Sequence, residues 1–193
     1  MNSVWQIPAL ETFQCLGDRC EDTCCKHWSM QVDEPTLTLY KREAPELLDA
    51  VEASTDAPWI MRKDSIAGAC VKLEAGLCGI HKQYGAKFLG DACHLYPRVI
   101  RALGDEKIMT ATLSCPEIAR LALVEQLALP LSQANIDRLP SMLKDYLPDG
   151  MNAKDAIAVH QAFLQAAEEP VDVEIIFARI ASVSRSLEHI DRT

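Results

Sequence analysis

Residues 13–33 read FQCLGDRCEDTCCKHWSMQVD and place Cys15, Cys20, Cys24 and Cys25, four of the chain's eight cysteines, within eleven positions. The other four, Cys70, Cys78, Cys93 and Cys115, also come early, so the last 78 of the 193 residues contain none. Free cysteine is among the most buried residue types, but thiols scattered through a core would not concentrate in this way. An even count also fits a disulfide framework. Against that, the opening MNSVWQIPALETFQC has neither the basic start nor the apolar block of an export signal. No apolar run approaches the roughly 18 residues that span a bilayer. The expectation is therefore a cytoplasmic chain with no membrane partner, in a compartment where thiols stay reduced.

Composition narrows the class further. A net charge of −9 and a pI near 5.0 oppose a phosphate backbone, so no nucleic-acid partner is expected. At 49% hydrophobic residues, 193 positions suffice for one full-sized core, or a core with a small appendage.

The spacings are C-x4-C-x3-C-C in the first block and C-x7-C-x2-H-x11-C in the second, with Cys115 following before Pro116. Thiolates select soft or borderline metals and disfavour magnesium and calcium. Structural zinc sites favour C-x2-C knuckles, which this chain lacks. Iron-sulfur clusters accept more varied spacings, including a cysteine next to proline. The spacing thus leaves an iron-sulfur cluster, with mononuclear zinc or iron as the alternative. Neighbouring side chains diverge, so Cys24 and Cys25 are not expected to serve one ion together. Neither block alone then supplies four ligands, and the two should converge. Cys20, Cys24 or Cys25, Cys78 and Cys93 are the leading candidate ligands, with Cys15, Cys70 and Cys115 behind them. His27 and His81 each stand three residues after a cysteine and could add an imidazole, against the ordinary reading as surface residues. His160 and His189 read as packing or surface residues.

Local pattern supplies the elements. Asp33 can cap a helix with Pro35 in its first turn and Leu37, Tyr40, Leu47, Leu48 and Val51 inward, broken near Pro45. Residues 54–58, STDAP, read as a loop. A tight turn at Glu74–Gly76 and a hairpin about Gly104-Asp105 follow. Ser114 and Pro116 open a helix with Ile118, Leu121, Val124 and Leu127 or Ala128 on one face. Pro130, Pro140, Pro148 and Gly150 break up the next stretch. Asn152 then opens a helix with Ile157, Phe163 and Leu164 inward, and Asp172 opens another with Ile175, Ile176, Ile180, Val183 and Leu187 buried. The expected fold is mainly α: a cysteine-rich metal-cluster domain with a small β-hairpin over 1–128, and a helical region over 129–193 packed on it.

The blocks FQCLGDRCEDTCCKHWSMQVD, CVKLEAGLCGIHKQYGAKFLGDACHLYPRV and LSCPEIARLAL together resemble the flagellin lysine-N-methylase family, related to broader cysteine-cluster proteins of zinc- or iron-chelating type. The resemblance covers roughly residues 13–124 and matches the first part of that family's length. Lys26-His27 stands where its members usually carry glycine. The resemblance implies a 4Fe-4S-type centre held by these cysteines, S-adenosylmethionine as methyl donor, and lysines of flagellin or another protein as substrate. No glycine-rich dinucleotide-type loop is present for such a donor. Position 27 is histidine where the radical C-x3-C-x2-C motif would need a third cysteine. A lysine amine must be presented neutral, and the residues available near the cysteine blocks are Tyr84, Tyr96, Asp91 and Glu117. The competing expectation is a non-enzymatic zinc- or iron-binding module.

Overall fold

The computed structural model describes residues 2–26, 28–55, 57–123 and 131–167, with positions 175, 178, 179, 181 and 182. Strand β1 (Asn2–Gln6) leads into a single turn of helix, α1 (Ala9–Thr12). The cysteine-rich loop follows, and then α2 (Glu34–Glu43). Helix α2 starts where expected: the Asp33 carboxylate accepts from Thr36 N at 2.9 Å and from Thr36 Oγ1 at 2.7 Å, with proline in the first turn. It stops at Ala44, because Pro45 cannot continue it, and a 3-10 segment (Pro45–Ala50) carries the chain into a short ladder of β2 (Val51–Glu52) with β3 (Ile60–Met61).

The next hairpin, β4 (Leu73–Glu74) with β5 (Leu77–Cys78), turns through Ala75 and Gly76 at φ of 49° and 81°. Two successive positive φ values are what a tight I′-type turn requires. Helices α3 (Gly79–Tyr84) and α4 (Asp91–Leu95) then lead into the longer hairpin of β6 (Arg98–Leu103) and β7 (Glu106–Ala111), which turns at Gly104-Asp105 as expected. Helix α5 (Pro116–Leu123), strand β8 (Ser132–Ile136) and helix α6 (Ala153–Ala167) complete the described elements. Asn152 opens α6 by accepting from Asp155 N at 3.0 Å, and Ala153 and Ala156 form its buried face.

The mainly α fold expected from local pattern is not what forms. The centre of the molecule is a mixed four-stranded sheet in the order β6-β7-β1-β8, parallel between β7 and β1 and antiparallel elsewhere. Two short hairpins accompany it, and no assembled metal cluster is present among the described residues. The difference is physical. Strand β1 takes its register from Ile108 and Met109 on one side and from residues 132–136 on the other. Pairing over such separations leaves little trace in the local periodicity of a five-residue strand.

Two cores result. One gathers Met30, Leu37, Tyr40, Leu47 and Phe88 beneath the cysteine loops; the other gathers Val4, Leu10, Ile100, Met109 and Ile118 between the sheet and α5. Burying such side chains contributes about 1.5–3 kcal/mol each. Val124, Leu127, Ala128, Pro130, His27, His189 and most of the helix expected from Asp172 lie outside the described residues; Ile175 is exposed. No described helix is long and apolar enough to cross a membrane.

Candidate functional site

The first cysteine block is fastened to the second through backbone. Cys70 N donates to Cys25 O at 2.8 Å, and Lys26 bridges Ala69 antiparallel, so Cys25 and Cys70 are held side by side. Thr23 Oγ1 accepts from Cys25 N at 3.2 Å, and Cys24 O accepts from Trp28 Nε1 at 2.7 Å, which fixes the double cysteine in a folded turn. Cys78 ends β5 immediately before α3. Cys93 lies in the middle of α4, whose first amide, Asp91 N, donates to the Asp33 carboxylate at 2.6 Å. Cys25, Cys78 and Cys93 are partly buried against the first core, of which buried Cys70 is a member, while Cys24 is exposed.

The thiols within this group sense one another. Cys25 interacts with the sulfurs of both Cys24 and Cys78 and retains its proton well above the ordinary thiol range. By the same contact Cys24 falls to about 7 and Cys78 to about 6, the latter helped by the amides of His81 and Ile80 at the start of α3. Burial raises Cys93 to about 12, with Cys78, Cys70 and Cys24 adding to the rise. Burial also raises Cys70, whose sulfur accepts from Lys72 N at 3.5 Å. Adjacent Cys24 and Cys25 therefore do reach one another, because the backbone is folded back there and not extended.

The remaining three thiols form a different group. Cys115 is buried in the second core, raised first by burial and also by the nearby sulfurs of Cys20 and Cys15. Cys20 and Cys15 are thus within electrostatic reach of Cys115. Tyr96 is close enough to both Cys115 and Cys24 to feel each, so it stands between the groups. No cysteine is in a disulfide, and among the described residues no three Cys, His, Asp or Glu side chains stand in the arrangement of a finished metal site. Thiolates as a class select soft or borderline metals such as iron and zinc.

The residues considered for presenting an amine are each engaged. Tyr84 donates to Glu46, Tyr96 shares a hydrogen bond with Ser114 at 3.2 Å, Asp91 accepts from Arg138 at 2.6 Å, and Glu117 pairs with Arg120 at 2.7 Å. His81 follows Cys78 on α3 and lowers its pKa, and His160 lies on α6. Trp28 and Arg98, which line a cleft, carry no motif; the one available signal was an aromatic close behind a double cysteine.

Eight free cysteines and a mixed four-stranded sheet define a cysteine-rich protein of mixed α and β structure. The chain is 30% identical over 141 residues to the Lysine-N-methylase of Salmonella typhimurium (strain LT2) and to that of Salmonella choleraesuis (strain SC-B67), a match covering 67% of this chain and 35% of each relative. It is 28% identical over 151 residues to the Flagellar biosynthetic protein FliU of Salmonella muenchen, covering 72% of this chain and 88% of that protein. These relatives place the chain in a flagellin lysine-N-methylase-like family. It spans about a third of the length of the Lysine-N-methylases it matches. No family model matches the chain, and no solved structure matches it.

Proposed function

We propose that the chain is a lysine-N-methylase-like protein in which Cys24, Cys25, Cys70, Cys78 and Cys93 supply the ligands of a metal centre, and which acts with S-adenosylmethionine on lysines of flagellin or another protein. What supports this is the contact of Cys25 with the thiols of Cys24 and Cys78, the backbone bond that holds Cys70 beside Cys25, and the packing of Cys93 against the same core. An all-sulfur donor set suits an iron-sulfur cluster first and zinc second. When bound, the methyl donor supplies an electrophilic methyl group. The protein's share is to seat the donor, exclude water and hold the lysine neutral against a free pKa near 10.4.

Metal and sulfide analysis with an ultraviolet-visible spectrum of anaerobically purified protein tests the centre: iron with equimolar sulfide supports a cluster, zinc supports the alternative, and absence of either metal overturns it. Incubation with labelled S-adenosylmethionine and flagellin tests the reaction. Label on flagellin lysines, lost in Cys24→Ser and Cys93→Ser, supports it. A bound metal with no transfer leaves the second reading, a metal-binding module without catalysis.

A further inference from the structure

Between the two cores lies a cleft of about 720 Å³, within the range of small-molecule sites. Trp28 and Tyr96, stacked with centroids 5.9 Å apart, form part of its wall, and Trp59 stands on its rim. Two of its carboxylates are already occupied. Asp33 caps α2 and takes the Asp91 amide, and Asp91 takes Arg138 and the Ser141 amide. Glu34, at the rim, has no ion-pair partner among the described residues.

Arg98 is the residue that the fold leaves unexplained. Its guanidinium lies over the Phe13 ring at 5.3 Å, is half-buried, and has no carboxylate or hydrogen-bond partner among the described residues. Burial depresses its pKa, as withdrawal from water does for a cation without a counter-ion. Arg98 also borders a smaller cavity of about 240 Å³ with His94, Arg138, Asn135 and Asp137. Arg138 is committed to Asp91 and to Leu89 O. Burial, and then Arg138, lower the pKa of His94, and Asp137 is exposed. An unpaired cation beside an aromatic wall is complementary to a ligand that joins a flat ring to a carboxylate.

We infer that this cleft seats the methyl donor, with the Trp28–Tyr96 wall taking its purine and Arg98 taking the α-carboxylate of its amino-acid arm. The assignment rests on the functional reading above and adds the seat to it. It accounts for an arginine for which the fold alone gives no need, and it sets the donor against Trp28, whose Nε1 donates to Cys24 O.

Binding is measured by calorimetry and by the fluorescence of Trp28 and Trp59, on anaerobically purified protein. The ligands are S-adenosylmethionine, S-adenosylhomocysteine and 5′-methylthioadenosine, the last lacking the amino-acid arm. The wild type should prefer S-adenosylhomocysteine over methylthioadenosine by about 10- to 100-fold, the range of a charge-assisted hydrogen bond. Arg98→Ala should erase that preference while leaving methylthioadenosine binding unchanged, and Arg98→Lys should restore part of it. Equal affinity of the wild type for the two ligands, or an unchanged preference in Arg98→Ala, overturns the assignment while the functional reading stands. The wild-type comparison decides the matter even should Arg98→Ala fail to fold. Failure of the wild type to bind S-adenosylmethionine at all overturns both.

Discussion

Trp28 stacks on Tyr96 with the two rings inclined by 27°, and the pair joins the core beneath the cysteine loops to the core beneath the sheet. Each ring belongs to one side, so the contact is made only when both halves are in place. Trp28→Leu removes the stack and the hydrogen bond to Cys24 O. A stacked pair is worth about 0.5–1.5 kcal/mol beyond its area, so the expected loss is about 2 kcal/mol at this partly buried site, read from urea unfolding. A loss confined to thiol reactivity, with no change in the unfolding midpoint, would show that the stack does not couple the halves.

Asp33 ties α2 to α4. Burial works against its ionisation, but the hydrogen bonds from Asp91 N, Thr36 Oγ1 and Thr36 N outweigh that and hold its pKa below the ordinary carboxylate value. A depressed folded pKa stabilises the native state above the unfolded pKa, and the benefit fades as pH falls through the folded value, here below about pH 4. Asp33→Ala should cost about 1–2 kcal/mol at pH 7, and the gap to wild type should narrow on acidification. Asp33→Asn, which keeps an acceptor without the charge, should lie between them. Denaturant midpoints from pH 7 to pH 3 give the curve, and a gap that widened in acid would contradict it.

Tyr40 is buried, and its hydroxyl donates to Phe88 O at 2.7 Å. Phenylalanine there keeps the ring and orphans the carbonyl, a change that costs about 1–3 kcal/mol. Thermal unfolding should show a lower midpoint with no change in cooperativity. An unchanged midpoint would mean that water reaches Phe88 O.

In reduced, metal-free protein at pH 7, iodoacetamide should label Cys24, exposed and lowered to about 7, well before buried Cys70, whose pKa burial raises. Peptide mass spectrometry over a time course reads the order. Restoring metal should protect Cys24, since a coordinated thiolate is a poor nucleophile. Labelling of Cys70 ahead of Cys24 would contradict the arrangement of the cluster.

Much of the local structure was legible because its causes are local. Asp33 with Pro35, and Asn152 with Asp155, announce helices; Gly76 and Gly104 announce turns. The first of these helices also ends at Pro45 as its chemistry requires. The sheet was not legible, since NSVWQ and SQANI contain little that marks a strand until residues more than a hundred positions apart supply the partner. The spacing of the cysteines pointed to convergence but carried nothing about which of them pack together. That depends on the backbone bond between Cys25 and Cys70 and on Cys115 lying in the other core, neither of which spacing encodes. Arg98 was silent for the same reason: its interest lies in the absence of a partner, which only packing reveals.

Strand β1 sits between β7 and β8, and its last residue, Gln6, pairs with Ser132, 126 positions later. At about 5–20 residues per second on the ribosome, β1 waits roughly 6 to 25 seconds for that neighbour. The segments bearing Cys24, Cys25, Cys70, Cys78 and Cys93 have all been synthesised before it. The birth order of the chain thus completes the segments bearing these five sulfurs while the sheet is still open, and closure of the sheet by β8 comes last.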